Sequence, residues 1–158
     1  MRVFGLKIDL RPTAPLPGLM MAALTYALLP RGPRRLLEAL AGVALWYEAE
    51  LSHVLGHLVS SRLVGAPVDR IRWGLIMATL YDDNDVTPRQ HIGRAVGGPV
   101  GSALAMLCWW ALWRLSSGKP IGRLALIALA SNMFLTLVSW LPLPGVDGGV
   151  ILRNIRKL

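Results

Sequence analysis

Three runs of this chain carry no charged side chain for nineteen residues or more: 12–30, 95–113 and 124–146. About 20 apolar helical residues cross the hydrocarbon core of a bilayer. A crossing segment must also satisfy its backbone hydrogen bonds within itself, which favours helices. The runs are closed by basic or proline-rich punctuation. Arg31-Gly32-Pro33-Arg34-Arg35 follows the first, Arg94 and Arg114 bound the second, and Arg123 and Asp147 bound the third. Trp109, Trp110 and Trp113 end the second run as an interfacial belt. Pro15 and Pro17 shorten the helical part of the first run, and Pro142 and Pro144 end the third helix early.

Composition agrees with this constraint. Hydrophobic residues make up 54% of the 158, charged residues only 16%, and mean hydropathy is +0.49. Soluble domains reach roughly 45–50% apolar only with glycine included, so a disordered chain, a charged coiled coil and a soluble enzyme with a polar shell are all disfavoured. Cys108 is the sole cysteine, which excludes an internal disulfide and a cysteine-based zinc finger. The formal charge of +8 is clustered between apolar stretches, a pattern that points to anionic lipid headgroups as partners and not to nucleic acid. Arg2 and Lys7 precede the first run as they would in a signal peptide, but no small-residue cleavage site follows before Arg31, so a retained span is expected.

A fourth hydrophobic segment, 36–60, is long enough to span but carries Glu48, Glu50, His53 and His57 in its second half. Between it and the next span, 64–90 is the one stretch polar enough for the membrane surface. Residues 68–80 are rich in β-branched and aromatic types and read as one or two strands, closed by the acidic turn Tyr81-Asp82-Asp83-Asn84-Asp85. Residues 3–10 read as another strand, ended by Arg11-Pro12. Open edges are not tolerated in lipid, so these strands are expected to pair with one another at headgroup level. Thr87-Pro88 then starts the third helix, with proline in its first turn. The expected architecture is an all-α membrane protein of about four transmembrane helices, near 14–30, 36–60, 92–113 and 122–141, with a small interfacial β-sheet, forming one membrane-embedded domain over 1–158.

Ionisable groups inside a span are costly and are functional candidates. With His53 at zero on its helix, His57 falls at about 40° and Glu50 at about 60°, while Glu48 points away at about 220°. Two imidazoles one turn apart form a bidentate metal clamp, and also a pair that simply packs helices. The last span ends Leu141-Pro142-Leu143-Pro144-Gly145-Val146-Asp147-Gly148-Gly149. An aspartate at a proline-broken helix end can turn its carboxylate back to the bundle as a third ligand, or cap the next helix. Gly93, Gly97, Gly101 and Ala105 form a small stripe at four-residue spacing, suited to close helix packing. His91 reads as an interfacial polar residue, and the tail Arg153-Asn154-Ile155-Arg156-Lys157 as a headgroup anchor.

Taken together, these residues resemble the site-2 protease family of intramembrane zinc metalloproteases in its short bacterial form, nearly end to end. Gly5-Leu6-Lys7-Ile8-Asp9-Leu10-Arg11-Pro12-Thr13 is similar to the family's amino-terminal strand. His53-Val54-Leu55-Gly56-His57, continued by Ser61-Arg62-Leu63-Val64-Gly65-Ala66-Pro67-Val68, is similar to its zinc helix and the strand after it. Gly97-Gly98-Pro99 matches its small-Gly-Pro motif, and Asn132 with Pro142 and Asp147-Gly148 matches its third-ligand motif and upstream polar residue. The resemblance implies His53, His57 and Asp147 as zinc ligands, Asn132 as polar support, a transmembrane-helix substrate or client, and a bacterial plasma membrane location.

One position departs from the pattern. The family's HExxH places a general-base glutamate after the first histidine, and here that residue is Val54. Losing a positioned acid–base group costs ~10²–10⁴-fold in rate. Glu50 shares the histidine face and stands about 4.5 Å along the axis from His53, at ~1.5 Å rise per residue. It is a candidate substitute base, a fourth ligand or an orienting partner for His53. Three functions follow: a metal-binding pseudoprotease, an active protease with Glu50 or another group as base, and a non-proteolytic membrane metal-binding protein.

Overall fold

A computed structural model describes residues 2–3, 6–82 and 85–158. Gly5 of the amino-terminal motif and Asp83 and Asn84 of the acidic turn lie outside them. In chain order the elements are β1 (Arg2–Val3), β2 (Leu6–Leu10), α1 (Pro15–Leu28), α2 (Arg35–Leu63), β3 (Arg70–Trp73), β4 (Met77–Leu80), α3 (Pro88–Leu115), α4 (Pro120–Ser139) and α5 (Asp147–Ile155).

Side-chain placement runs opposite to that of a soluble bundle. Apart from Trp46 and Val54, the buried helical positions are small or polar, among them Ala49, Ala95, Ala125, Ala128, Ser61, Ser102, Ser131 and Asn132. Large apolar residues face outward instead, among them Leu55, Val59, Leu104, Leu107, Phe134 and Leu137. Water would penalise so much exposed hydrocarbon, whereas lipid favours it. Helices α3 and α4 are long and apolar enough to cross a membrane, by length and composition. Helix α1 is apolar but only 14 residues, and α2 has 29 residues and carries the acidic side chains.

Helix α2 is the hub, packing on α1, α3 and α4, and α3 also holds α4 and α5. The glycine stripe explains how close α2 and α3 come. A Cβ on Gly56 would strike the Gly97 carbonyl, and one on Gly101 would strike the carbonyl of Ser52. Only small residues permit such backbone approach, the usual basis of tight packing in lipid. Two polar ties fix the bundle further. Glu38, buried on the first turn of α2, accepts from the Arg123 guanidinium near the start of α4. Glu48 accepts from Ser52 Oγ at 2.8 Å, Trp109 Nε1 at 2.9 Å and Asn132 Nδ2 at 3.2 Å. Trp109 therefore faces the bundle, while Trp110 remains half exposed.

The strands pair as expected, with one refinement. Residues 3–10 do not form a single strand: β1 and β2 are antiparallel partners, Val3 opposite Leu6. Strand β2 lies parallel to β3, from Lys7 opposite Arg70 to Leu10 opposite Trp73, and β3 turns back into β4. The parallel pair needs a long crossover, which α1 and α2 supply. The sheet order is β1-β2-β3-β4, and β4 packs against α2.

Candidate metal centre

Local chemistry at the start of α3 sets the site. Thr87 Oγ1 accepts from the Gln90 backbone N–H at 3.3 Å, and Gln90 Oε1 accepts from the Thr87 N–H at 3.0 Å, a reciprocal capping box legible as T-x-x-Q. Gln90 Nε2 donates to the Val64 carbonyl at 3.1 Å, and one turn on Arg94 Nε donates to the Ala66 carbonyl at 2.7 Å. The first turns of α3 thus clasp the chain leaving α2. That clasp brings the Arg94 carbonyl to His57.

A carbonyl only accepts, so at 2.8 Å His57 Nδ1 donates to Arg94 O and carries the ring proton. The neutral ring then presents a lone pair at Nε2. His53 Nδ1 is held by Ser102 Oγ of α3 at 3.0 Å, so its Nε2 faces the same point. The two Nε2 atoms lie 3.2 Å apart, and Asp147 supplies Oδ2 at 3.1 Å from His53 Nε2 and Oδ1 at 3.4 Å from His57 Nε2. One ligand atom from each of the three residues falls within 4.8 Å of the others. Gly98 lines this point because a Cβ there would collide with both Nε2 atoms.

Asp147 is the first residue of α5, and it makes no side-chain cap for that helix. Gly148 and Gly149 allow the turn, since a Cβ on either would meet the carbonyls of Trp140 or Leu143. Burial pushes the Asp147 carboxyl up, but the close approach of the His53 and His57 rings outweighs it and holds the group below its ordinary range. It is a carboxylate at neutral pH. Two imidazole lone pairs and a carboxylate, each ring oriented by a partner on its far nitrogen, form a donor set suited to zinc with an open fourth position. The residues present fit the metal.

The site opens on a cavity of about 540 Å³, whose wall includes Trp46, Glu50, Tyr81, Arg94, Arg153 and Lys157. Glu50 is 2% exposed and lies beside the Met77 backbone and the Trp46 indole, without a well-formed hydrogen bond to either. Val54 is 1% exposed. Asn132 is fully buried, bonded to Glu48 and the Ala128 carbonyl, which places it on the side of α2 that Glu48 occupies. His91, read as interfacial, lines the cavity, and so does part of the basic tail. Sequence reasoning also passed over Ser102 and Arg94, whose far-nitrogen contacts orient the two rings. The one available signal was the polar serine within the glycine-rich half of α3.

The helical bundle thus combines two candidate membrane spans with a His-His-Asp cluster that could hold a metal ion. A site-2 protease from Methanocaldococcus jannaschii has the same fold: the TM-score is 0.69 at 18% identity, over 99% of this chain and 70% of that one. No protein-family model matches the sequence, and no curated protein matches it. The scaffold is therefore site-2-protease-like, as the motifs implied, and residues 53, 57 and 147 form a possible metal-binding triad within it.

Proposed function

We propose that this chain is an intramembrane zinc metallopeptidase scaffold whose hydrolytic step is impaired, a pseudoprotease that holds metal and engages transmembrane-helix clients. The observation that carries the reading is the convergence of the three ligands beside Val54, a buried side chain that cannot accept a proton. Bound zinc would supply Lewis-acid activation of water and of a peptide carbonyl. The chain's own contribution is to orient His53 and His57 through Ser102 and Arg94, and to keep Asp147 ionised between them. Exposed Leu and Val around α2 to α4 support an integral membrane protein with lipids as standing partners.

A second reading has its own support. Glu50 lines the cavity with both histidines and makes no well-formed hydrogen bond at either oxygen, with the Met77 backbone and the Trp46 indole beside it, which suits a substitute base. Cleavage of a transmembrane client bearing a helix-breaking residue separates the two. The pseudoprotease reading expects a silent native protein and at least ~10²-fold faster cleavage by Val54→Glu. Equal cleavage by native and variant would reject it. Native cleavage abolished by Glu50→Gln would establish the second reading.

A further inference from the structure

Two of the basic side chains in the tail, Arg153 and Lys157, line the cavity that holds His53, His57 and Asp147, and Arg156 between them does not. Helix α5 explains the sorting. At about 100° per residue, Asp147, Val150 and Asn154 fall within about 60° of one another, with Arg153 at their edge, and all four line the cavity. Leu152 and Ile155 lie on the other side of the helix and are 40% and 54% exposed. That apolar side suits the acyl-chain boundary of a membrane surface. The two cations stand away from it, over the cavity, so the headgroup role expected of the whole tail does not account for them.

Both cations are available to a ligand. Among the described residues, neither Arg153 nor Lys157 forms an ion pair or a side-chain hydrogen bond. Arg94, also on the wall, is by contrast committed to the Ala66 carbonyl and to the face of the Tyr81 ring. Asp147, an acid of the same wall, is held at the two histidines. Arg153 and Lys157 follow Asp147 by six and ten residues, about 9 and 15 Å along a helix at ~1.5 Å per residue. An extended peptide advances ~3.3 Å per residue, so a carboxylate about three to five residues from a bond held at the triad comes within their reach. The remaining wall includes Trp46, Phe134, Leu135 and Val138, which suit an apolar peptide body.

We propose that Arg153 and Lys157 form an anion subsite of the cavity, which selects client segments carrying a carboxylate about three to five residues from the position held at the triad. The ligand class is an apolar peptide with a single acidic side chain. A lipid phosphate shares the charge, but the side of α5 that suits lipid carries Leu152 and Ile155. The inference deepens the client reading above and rests on it. It requires no cleavage, because charge selection acts on binding.

The test uses the full chain in a neutral detergent, titrated calorimetrically with two apolar peptides blocked at both ends. They differ only in a glutamate or a glutamine placed about four residues from a central Pro-Gly break. The native chain should bind the glutamate peptide about fivefold more tightly, the worth of a partly exposed charge pair, and high salt should shrink that preference. Joint Arg153→Gln and Lys157→Gln substitution should remove it, with affinity for the glutamine peptide unchanged. Arg156→Gln, which loses a charge outside the cavity, should keep it. Equal affinity of the native chain for the two peptides would overturn the subsite and leave the client reading standing. A preference that survives the joint substitution would overturn it as well, by placing the selection elsewhere. Equal loss in Arg156→Gln would overturn it in favour of diffuse surface charge, as a headgroup-binding patch produces. Binding of neither peptide would remove the client reading and the subsite together.

Discussion

The distant nitrogens of the two histidines decide what their near nitrogens can do. His57 Nδ1 is committed to the Arg94 carbonyl and His53 Nδ1 to Ser102, so each Nε2 is aimed before any metal arrives. Ser102 is fully buried. Removing its hydroxyl strands His53 Nδ1 away from water, which costs ~1–3 kcal/mol, and frees the ring to turn. Ser102→Ala is expected to weaken zinc binding by ~10–100-fold, the usual effect of losing a partner that orients a metal ligand. Competition against a chromogenic chelator reads this directly. Zinc affinity within twofold of native would show that the serine does not orient His53. Asp147 needs no such partner, because the neighbouring imidazole rings already hold its carboxyl below the ordinary range.

At the scale of elements, the α2–α3 seam places the centre. Gly98 faces both Nε2 atoms across that seam, whereas a Cβ on Gly32 would meet nothing within 4 Å. Gly98→Ala should therefore abolish zinc binding and lower stability by about 1–3 kcal/mol, the range for overpacking a filled interior. Gly32→Ala should leave both within error. Metal analysis and thermal melts of the two variants test this, and a Gly98→Ala protein that retains zinc would displace the metal from that point. Much of the seam was legible beforehand, because uncharged runs and four-residue glycine spacing act locally and survive any tertiary context. The direction of Glu48 was legible for the same reason, as 100° per residue fixes which face it takes. Its partners Trp109 and Asn132 were not, because they lie 61 and 84 residues away along the chain. Asn132 shows the limit best. The motif gave it as polar support, and the Glu48 carboxylate that its amide bonds could not be read from the spacing. Tyr81 read only as the start of the acidic turn, since its place on the cavity wall depends on how the sheet docks. The break of residues 3–10 into two strands was hidden for a simpler reason: a two-residue β1 leaves almost no alternation to read.

For the whole molecule, the centre joins parts that otherwise touch little. His53 and Asp147 are 94 residues apart, and α5 packs mainly on α3. With apolar side chains facing outward, the bundle gains no water-driven core and relies on close packing and polar ties. A metal shared between α2 and the first residue of α5 adds a tie at a short helix held mainly by α3. A ligand bound only by the folded state stabilises it by ~2.7 kcal/mol at a hundredfold excess over Kd. Chelation of zinc-loaded protein in detergent should therefore lower Tm, and His53→Ala should melt at one temperature with or without chelator. The effect should also be local. Amide exchange across residues 147–155 should speed up on chelation, while the Gly56–Gly97 seam, held by close backbone packing and the Ser60 to Arg94 carbonyl hydrogen bond, keeps its protection. Uniform acceleration over both regions would mean that the metal supports the bundle as a whole. An unchanged Tm together with unchanged exchange would mean that α5 is held without it, and that the ligands converge through packing and hydrogen bonds alone.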